Sequence, residues 1–388
     1  MCGRFSDGLK PLQQTQNPNR GRLKMFDAND TQMMHTALAL ARQGRFSTSP
    51  NPRVGCVVAH GAQIVGQGFH VRAGEPHAEV HALRQAGNMA RGATAYVTLE
   101  PCSHYGRTPP CAEALIRAGV SRVVAAMSDP NPQVAGKGLA MLREAGIQVD
   151  CGLLETEARA LNRGFLSRIE RGRPFVRLKC AASLDGKTAL SDGRSQWITG
   201  PEARADVQML RAESCAVITG VGTVLADNPQ LNVRAFPTLR QPARVILDSR
   251  LQTPLSSRVV QDGGSPTLIA TLNNCHQSLQ KYTNHQHLQI LRPSESNRRI
   301  NLHNLLALLA EKGYGEVMVE AGAVLAGAFI EAGLVDEIVL YQAPKILGGN
   351  GKGLFSLEEN PKSLTEPPLW QTVSVTPLGN DIKWVLQK

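Results

Sequence analysis

The sequence predicts an α/β protein built as two domains, each with a largely parallel sheet and helices on both faces. Three observations lead there. Short apolar, strand-like runs alternate with helix-spaced segments along most of the chain. A strong break, Arg171-Gly172-Arg173-Pro174, falls near the middle. The length, 388 residues, is enough for two separate hydrophobic cores.

Residues 1–26 are polar, without periodicity and without the apolar centre of a secretory signal. They are expected to be a disordered extension, unless translation begins at Met25. The first domain is expected over residues 27–172. Asp30 is expected to cap a helix carrying Met33, Met34, Ala37, Leu38, Leu40 and Ala41 on one face, with Gly44 as its stop. Residues 51–58 and 64–66 read as a strand pair turned at His60-Gly61. A helix follows from His77 to about Gln85, then a strand over 95–99 that ends at Glu100. Further helices are predicted over 111–118 and 139–145, further strands over 122–127 and 147–149, and one junction helix over 155–171.

The second domain is expected over residues 173–388. Strands are predicted over 175–179, 216–220, 244–248, 267–270, 316–320 and 337–341, a helix over 201–212, and a terminal strand pair within 371–386. The Gln/Asn/His-rich stretch 273–289 is expected to be a surface insertion.

Composition excludes several classes. No apolar run reaches the length of a membrane span, the longest candidate (Ala321 to Val335) being interrupted by Glu331. Eight scattered cysteines make no disulfide framework, which points to a reducing, cytoplasmic setting. Cys56, Cys151, Cys180, Cys215 and Cys275 read as small core residues. The net charge of +10 divides as +4 over residues 1–26, +2 over 27–150 and +4 beyond. Charge this diffuse suits a small phosphorylated ligand as well as a polyanion.

The chemistry is concentrated between His77 and Cys111. His77-Ala78-Glu79 is followed by Pro101-Cys102 and Pro110-Cys111. One imidazole and two thiolates can hold zinc and leave a fourth position for water. Cys111 opens a predicted helix, whose N-terminus favours the thiolate. Glu79, two residues after the histidine, is placed to move protons without ligating the metal, as in zinc nucleobase deaminases. The pattern His77-Ala78-Glu79-Val80-His81 is H-x-E-x-H rather than H-E-x-x-H, which excludes a zincin protease and leaves His81 as a helix-face residue.

In full the motif reads PHAEVHAL (76–83) and TLEPCSHYGRTPPC (98–111). Eight residues separate the cysteines, where tRNA deaminases have C-x-x-C. This loop, with Asn51-Pro52, residues 129–136 (DPNPQVAG), Gly164-Phe165, Ala182 to Lys187, Ser195 to Thr199, Thr223 to Asp227 and Val319 to Gly322, covers the chain from about residue 30 onward. It resembles the bifunctional diaminohydroxyphosphoribosylaminopyrimidine deaminase/5-amino-6-(5-phosphoribosylamino)uracil reductases of riboflavin biosynthesis.

The resemblance implies a cytidine-deaminase-like three-layer α/β/α first domain and a dihydrofolate-reductase-like α/β second domain. It implies zinc on His77, Cys102 and Cys111, with zinc-activated water and Glu79 as acid/base in hydrolytic deamination, and Asn51 on the pyrimidine. It implies NADPH as reductant of the ribosyl group, contacting Ala181, Trp197, Thr223, Asp227, Ser249 and the run Gly322, Ala323, Val324, Leu325, Ala326, Gly327 and Ala328. Substrate contacts would be Ser195, Arg211, Leu231, Arg234 and Glu320, with Lys179 nearby; Arg211 and Arg234 have the forked charge that suits a phosphate. No G-x-G-x-x-G is present, so this half is legible only through the resemblance. One departure is Asn228, where the family commonly has a second aspartate. The resemblance further implies a homo-oligomer, a dimer through the second domain, with a small phosphorylated pyrimidine as partner and neither nucleic acid nor membrane.

Two other readings compete. A nucleic-acid deaminase with an appended domain is disfavoured by the wide cysteine loop and the absence of aromatic-rich basic segments, and salt-dependent affinity for single strands would revive it. A non-enzymatic zinc-stabilised module has no use for Glu79, and predicts that chelation unfolds the first domain with no catalytic consequence beyond that.

Overall fold

The alternation of apolar and helix-spaced segments folds into two main sheets, with two small two-stranded sheets beside them. The structure, a computed structural model, describes residues 26–388 apart from 106–108, 133, 275, 284, 360, 364 and 368. The expected disorder of residues 1–25 and the core placement of Cys275 lie outside the described residues.

The first half comprises α1 (Ala28–Gln43), β1 (Gly55–His60), β2 (Gln63–Phe69), α2 (Ala78–Ala86), β3 (Thr94–Val97), α3 (Cys111–Ala118), β4 (Arg122–Ala125), α4 (Lys137–Glu144), β5 (Gln148–Cys151), α5 (Glu155–Leu161) and α6 (Arg163–Arg171). Its sheet runs β2-β1-β3-β4-β5. The period-2 rule of a strand sorts the core: Cys56 and Val58 face α2, α3 and α4, while Val57 and Ala59 face α1, α5 and α6. That is the three-layer α/β/α arrangement.

The expectation of a largely parallel sheet needs correction here. β1 is antiparallel to both β2 and β3, and only β3, β4 and β5 run parallel. A tight turn between β1 and β2 leaves no crossover, so the pair has to be antiparallel. The cap of α1 is Asp27, not Asp30. Asp27 accepts from the Asp30 N–H, Asp30 reciprocates, and the Asp30 carboxylate is also held by Arg122 and Tyr96. The junction is two helices broken at Asn162, because that buried side chain bonds both the N–H and the carbonyl of Arg53.

The second half comprises β6 (Phe175–Ser183), β7 (Lys187–Ala189), α7 (Pro201–Glu213), β8 (Ala216–Gly220), α8 (Val221–Asp227), β9 (Ala243–Leu247), α9 (Arg258–Gln261), β10 (Thr267–Ala270), α10 (His276–Thr283), β11 (Leu288–Leu291), β12 (Glu295–Ser296), β13 (Arg299–Ile300), α11 (Leu302–Glu311), β14 (Glu316–Glu320), α12 (Ala323–Glu331), β15 (Glu337–Ala343), β16 (Lys352–Gly353), β17 (Gln371–Leu378) and β18 (Asp381–Gln387). Nine of these strands form one sheet, β11-β10-β9-β8-β14-β6-β15-β18-β17, in which β18 alone runs against the others. Val176, Val317 and Leu178 pack on Leu305, Leu309 and Phe329 on one face. Val217, Ile246 and Met318 pack on Val207 and Leu210 on the other.

The stretch 273–289 is not a mere insertion: it contains α10 and leads into β11, the edge strand of the main sheet, with Tyr282 and Leu288 buried.

Candidate active sites

His77 is the N-cap of α2 and Cys111 the first residue of α3, so two helix starts converge on the loop after β3 that carries Cys102. Their ligand atoms all lie within 4.8 Å of one another, and they form the one metal-competent cluster found among the described residues. His77 Nδ1 is 3.3 Å from Cys111 Sγ and 3.6 Å from Cys102 Sγ. The Cys111 N–H donates to Cys102 Sγ at 3.3 Å.

The Cys111 thiol donates to Cys102, which is lowered to about 4, while Cys111 is raised by the same bond. The hydrogen bond to Cys102 raises His77. Two soft sulfurs and one imidazole, with no fourth ligand in the cluster among the described residues, fit zinc in an open site.

Glu79, in the first turn of α2, is buried, and its Oε2 has no hydrogen-bond partner. A buried orphan carboxylate oxygen beside a metal cradle is what a water or substrate proton would satisfy. Burial raises its pKa, which suits a group that must take and return a proton near neutrality.

Asn51 lies at the entrance to β1, its Nδ2 3.1 Å from Nε2 of His70. The Nδ1 of His70 is 3.1 Å from the Pro76 carbonyl. A carbonyl only accepts, so Nδ1 carries the hydrogen and Nε2 accepts from Asn51. The Asn51 carboxamide is thereby fixed, with its oxygen left for a ligand. His70 also sets its ring edge-on to His77, with centroids 5.4 Å apart. The sequence reading missed His70, since a lone histidine after a strand has no local signature.

It also missed the work of Glu100, although it had placed that residue directly ahead of the Pro101-Cys102 pair. The Glu100 carboxylate is buried and accepts four backbone N–H bonds: Gly138 at 2.9 Å and Leu139 at 3.3 Å on Oε1, Gly136 at 3.0 Å and Asp129 at 3.1 Å on Oε2. It ties the DPNPQVAG loop and the start of α4 to the segment bearing Cys102. Gly138 approaches so closely that a Cβ there would lie 1.9 Å from the Pro101 carbonyl oxygen.

In the second half several of the expected residues lie on or just after β6, β8, β9 and β14, and open parallel sheets bind ligands at their carboxyl ends. Lys179 and Glu320 are register neighbours on β6 and β14, and Ala181 lies further along β6. Thr223 and Asp227 belong to α8, and Ser249 follows β9. Gly322 caps α12 with extended backbone and no side-chain cap, which leaves first-turn N–H groups free. A Cβ on Gly220 would lie 3.6 Å from Leu325 Cδ2, so the starts of α8 and α12 adjoin. Gly322, Ala323, Val324, Leu325 and Ala328 are at least partly accessible, whereas Ala326 and Gly327 face inward, Gly327 against the Ser356 backbone. Trp197 is exposed beneath the Arg204 guanidinium, and Ser195 is half-buried nearby in sequence.

Three of the expected substrate-contact residues differ in their settings. Arg211 is buried and fully engaged: Nε and Nη2 meet both oxygens of Glu320 at 2.6 and 2.9 Å, and Nη1 meets the Asn232 carbonyl at 3.1 Å. Leu231 is in the hydrophobic core. Arg234 is exposed, and burial of part of its side chain lowers its pKa. Asn228 takes the left-handed conformation that ends α8, and its Oδ1 accepts from the Arg258 N–H at 2.8 Å. Aspartate offers the same acceptor and tolerates the same conformation, so the departure is structurally neutral.

Comparison with known proteins supports both halves. The cytidine and deoxycytidylate deaminase zinc-binding region matches residues 27–127, and the RibD C-terminal domain matches residues 174–384. Riboflavin biosynthesis protein RibD of Escherichia coli is 48% identical over 365 residues, covering 91% of this chain and 98% of the relative. That of Aquifex aeolicus is 44% identical over 353 residues, covering 91% and 97%. Among solved structures, Acinetobacter baumannii RibD superimposes with a TM-score of 0.86 at 45% identity, over 92% of this chain and 98% of that one. A diaminohydroxyphosphoribosylaminopyrimidine deaminase/5-amino-6-(5-phosphoribosylamino)uracil reductase from Thermotoga maritima does so with a TM-score of 0.81 at 34% identity, over the same 92% and 98%. With both halves matched in one order along nearly the whole length of these relatives, the chain belongs to the RibD family, the riboflavin-biosynthesis deaminase/reductases.

Proposed function

We propose that residues 27–172 deaminate 2,5-diamino-6-(5-phosphoribosylamino)pyrimidin-4-one and that residues 173–388 then reduce the ribosyl group of the product with NADPH. The observation that carries this reading is the cluster of His77, Cys102 and Cys111 with Glu79 buried beside it. Zinc held by those three would supply Lewis-acid activation of water.

The remaining steps belong to this chain's own side chains. Glu79 takes one proton from the attacking water and gives it to the ring nitrogen, then takes the proton of the resulting hydroxyl and gives it to the amino group, which departs as ammonia. The Asn51 oxygen, fixed through His70, holds the edge of the pyrimidine. In the second half the uncapped start of α12 offers N–H groups to a cofactor phosphate. Lys179, Ser195 and Glu320 surround the sugar. Arg234, whose guanidinium is not spent on a carboxylate, is the better receptor for the substrate phosphate, and Arg211 serves by orienting Glu320. Hydride transfer itself is the cofactor's chemistry.

We place the protein in the cytoplasm as a dimer. All six described cysteines are free thiols, as a reducing compartment requires. No helix of the described residues is long and apolar enough to cross a membrane. The outer strand β17 is exposed almost throughout, and Val373, Val375 and Ile382 on the terminal hairpin are open to a second copy through the second domain. A monomeric mass in solution would refute the dimer.

The test of the function is incubation of the pure protein with the diaminopyrimidinone substrate, with and without NADPH. Ammonia should appear without NADPH, and nicotinamide oxidation only after deamination. Nicotinamide oxidation preceding ammonia release would overturn the order.

A further inference from the structure

The loop that carries Asn51 touches the second half of the chain on both sides of that residue. Cys215, ahead of β8, donates its thiol to Ser49 Oγ at 3.3 Å. Pro50 lies against Gly313, 3.3 Å from where a Cβ on that glycine would stand. The Arg53 guanidinium reaches Glu316, the first residue of β14, at 3.5 Å. Glu316 is itself buried and held by Arg163 at 2.9 Å and by Arg177 at 3.3 Å, so it is a fixed point and not a surface charge. On the other flank Asn162 bonds the Arg53 main chain at both its N–H and its carbonyl, and Arg53 Nη1 donates to the Leu161 carbonyl at 2.9 Å. A cavity of about 20 Å³ remains among these groups, water-sized and too small for a ligand.

We infer that the reductase half forms the floor of the deaminase's substrate loop, with Cys215 and Glu316 as positioning residues that act on Asn51 through Ser49 and Arg53. Neither contributes to the reductase's own site, which lies at the opposite end of β14 around Glu320. The fusion of the two domains is then a working part of the first reaction and not only a tether. The inference rests on the reading that Asn51 binds the pyrimidine.

The test uses the full-length zinc-loaded chain and three variants, Asn51→Ala, Glu316→Gln and Cys215→Ala. Each is assayed for deamination KM and kcat, for zinc content, and for reductase kcat and NADPH KM as an internal measure of folding. Glu316→Gln should raise the deamination KM on the order of tenfold, the loss of one substrate hydrogen bond, with kcat within about twofold. Cys215→Ala should raise it by about threefold, because it removes a weaker contact. Zinc content and both reductase constants should stay at wild-type values. If Asn51→Ala raises KM while the other two variants keep the wild-type KM, the inference is wrong and the Asn51 reading stands. If Asn51→Ala itself leaves KM unchanged, the Asn51 reading falls and takes the inference with it. Should Glu316→Gln lose both activities by misfolding, Cys215→Ala decides alone, since it strands no charge.

Discussion

Replacing Glu100 by glutamine isolates one carboxylate that supports the zinc site without touching it. In the native protein each carboxylate oxygen receives two main-chain N–H groups, from Gly138 and Leu139 on one side and from Asp129 and Gly136 on the other. Glutamine keeps one accepting oxygen. Whichever way round the amide lies, its NH2 faces two main-chain donors, and both lose their acceptor. A hydrogen bond to a charged group contributes about 1.5–3 kcal/mol, so two lost bonds predict a cost of about 3–6 kcal/mol, a large fraction of a domain's stability. For a domain of this size 1 kcal/mol shifts Tm by about 2–4 °C, so the first-domain transition of the zinc-loaded protein should fall by at least about 6 °C. Cys102 lies two residues on, so zinc should also be lost at lower chelator concentration. The assay is thermal unfolding paired with chelator competition. A Glu100→Gln protein with native Tm and native zinc retention would refute the claim that this carboxylate holds the Cys102 segment to the DPNPQVAG loop.

Three further predictions follow from the same geometry. Glu79→Gln should retain stoichiometric zinc and lose deamination by at least about 10²-fold, with reduction of the preformed deaminated substrate unaffected; zinc content and ammonia release decide it. Arg234→Ala should raise the reductase KM for its phosphorylated substrate with little change in stability. Arg211→Ala should cost up to about 3–5 kcal/mol, because it leaves the Glu320 carboxylate, only 11% exposed, without its forked partner, and denaturant unfolding separates the two cases. Asp336 is pushed up by burial, but bonds from Arg173, Arg171 and the Val176 N–H outweigh this and lower its pKa. A carboxylate depressed on folding stabilises the protein above its unfolded pKa of about 3.9, and that stability is lost as pH falls through the lower, folded value. Asp336→Asn should therefore be less stable at pH 7 and show a shallower loss of stability below about pH 4, measured by denaturant midpoints across pH.

What was legible in the sequence was what local physics encodes. Helix start signals placed α3 at Cys111, and short apolar runs located β8, β10 and β14 with the observed limits. The metal ligands could be named because catalytic zinc demands particular side chains, and their spacing excludes other uses. The second site was legible only by resemblance, since no phosphate-binding glycine pattern marks it.

Other features were decided by the tertiary structure alone. The sequence reading gave one junction helix where the chain breaks at Asn162, because the amide there is needed by Arg53, 109 positions away. Arg211 reads as a free phosphate receptor until β14 brings Glu320 against it. Glu316 bridges Arg53, Arg163 and Arg177 across separations as large as 263 residues. Periodicity and capping report each residue's neighbours along the chain, whereas a buried charge is defined by the group that folding sets opposite it. Sequence could therefore name the chemistry of the His77, Cys102 and Cys111 cluster, and only the folded chain could show what holds the loop bearing Asn51 in place.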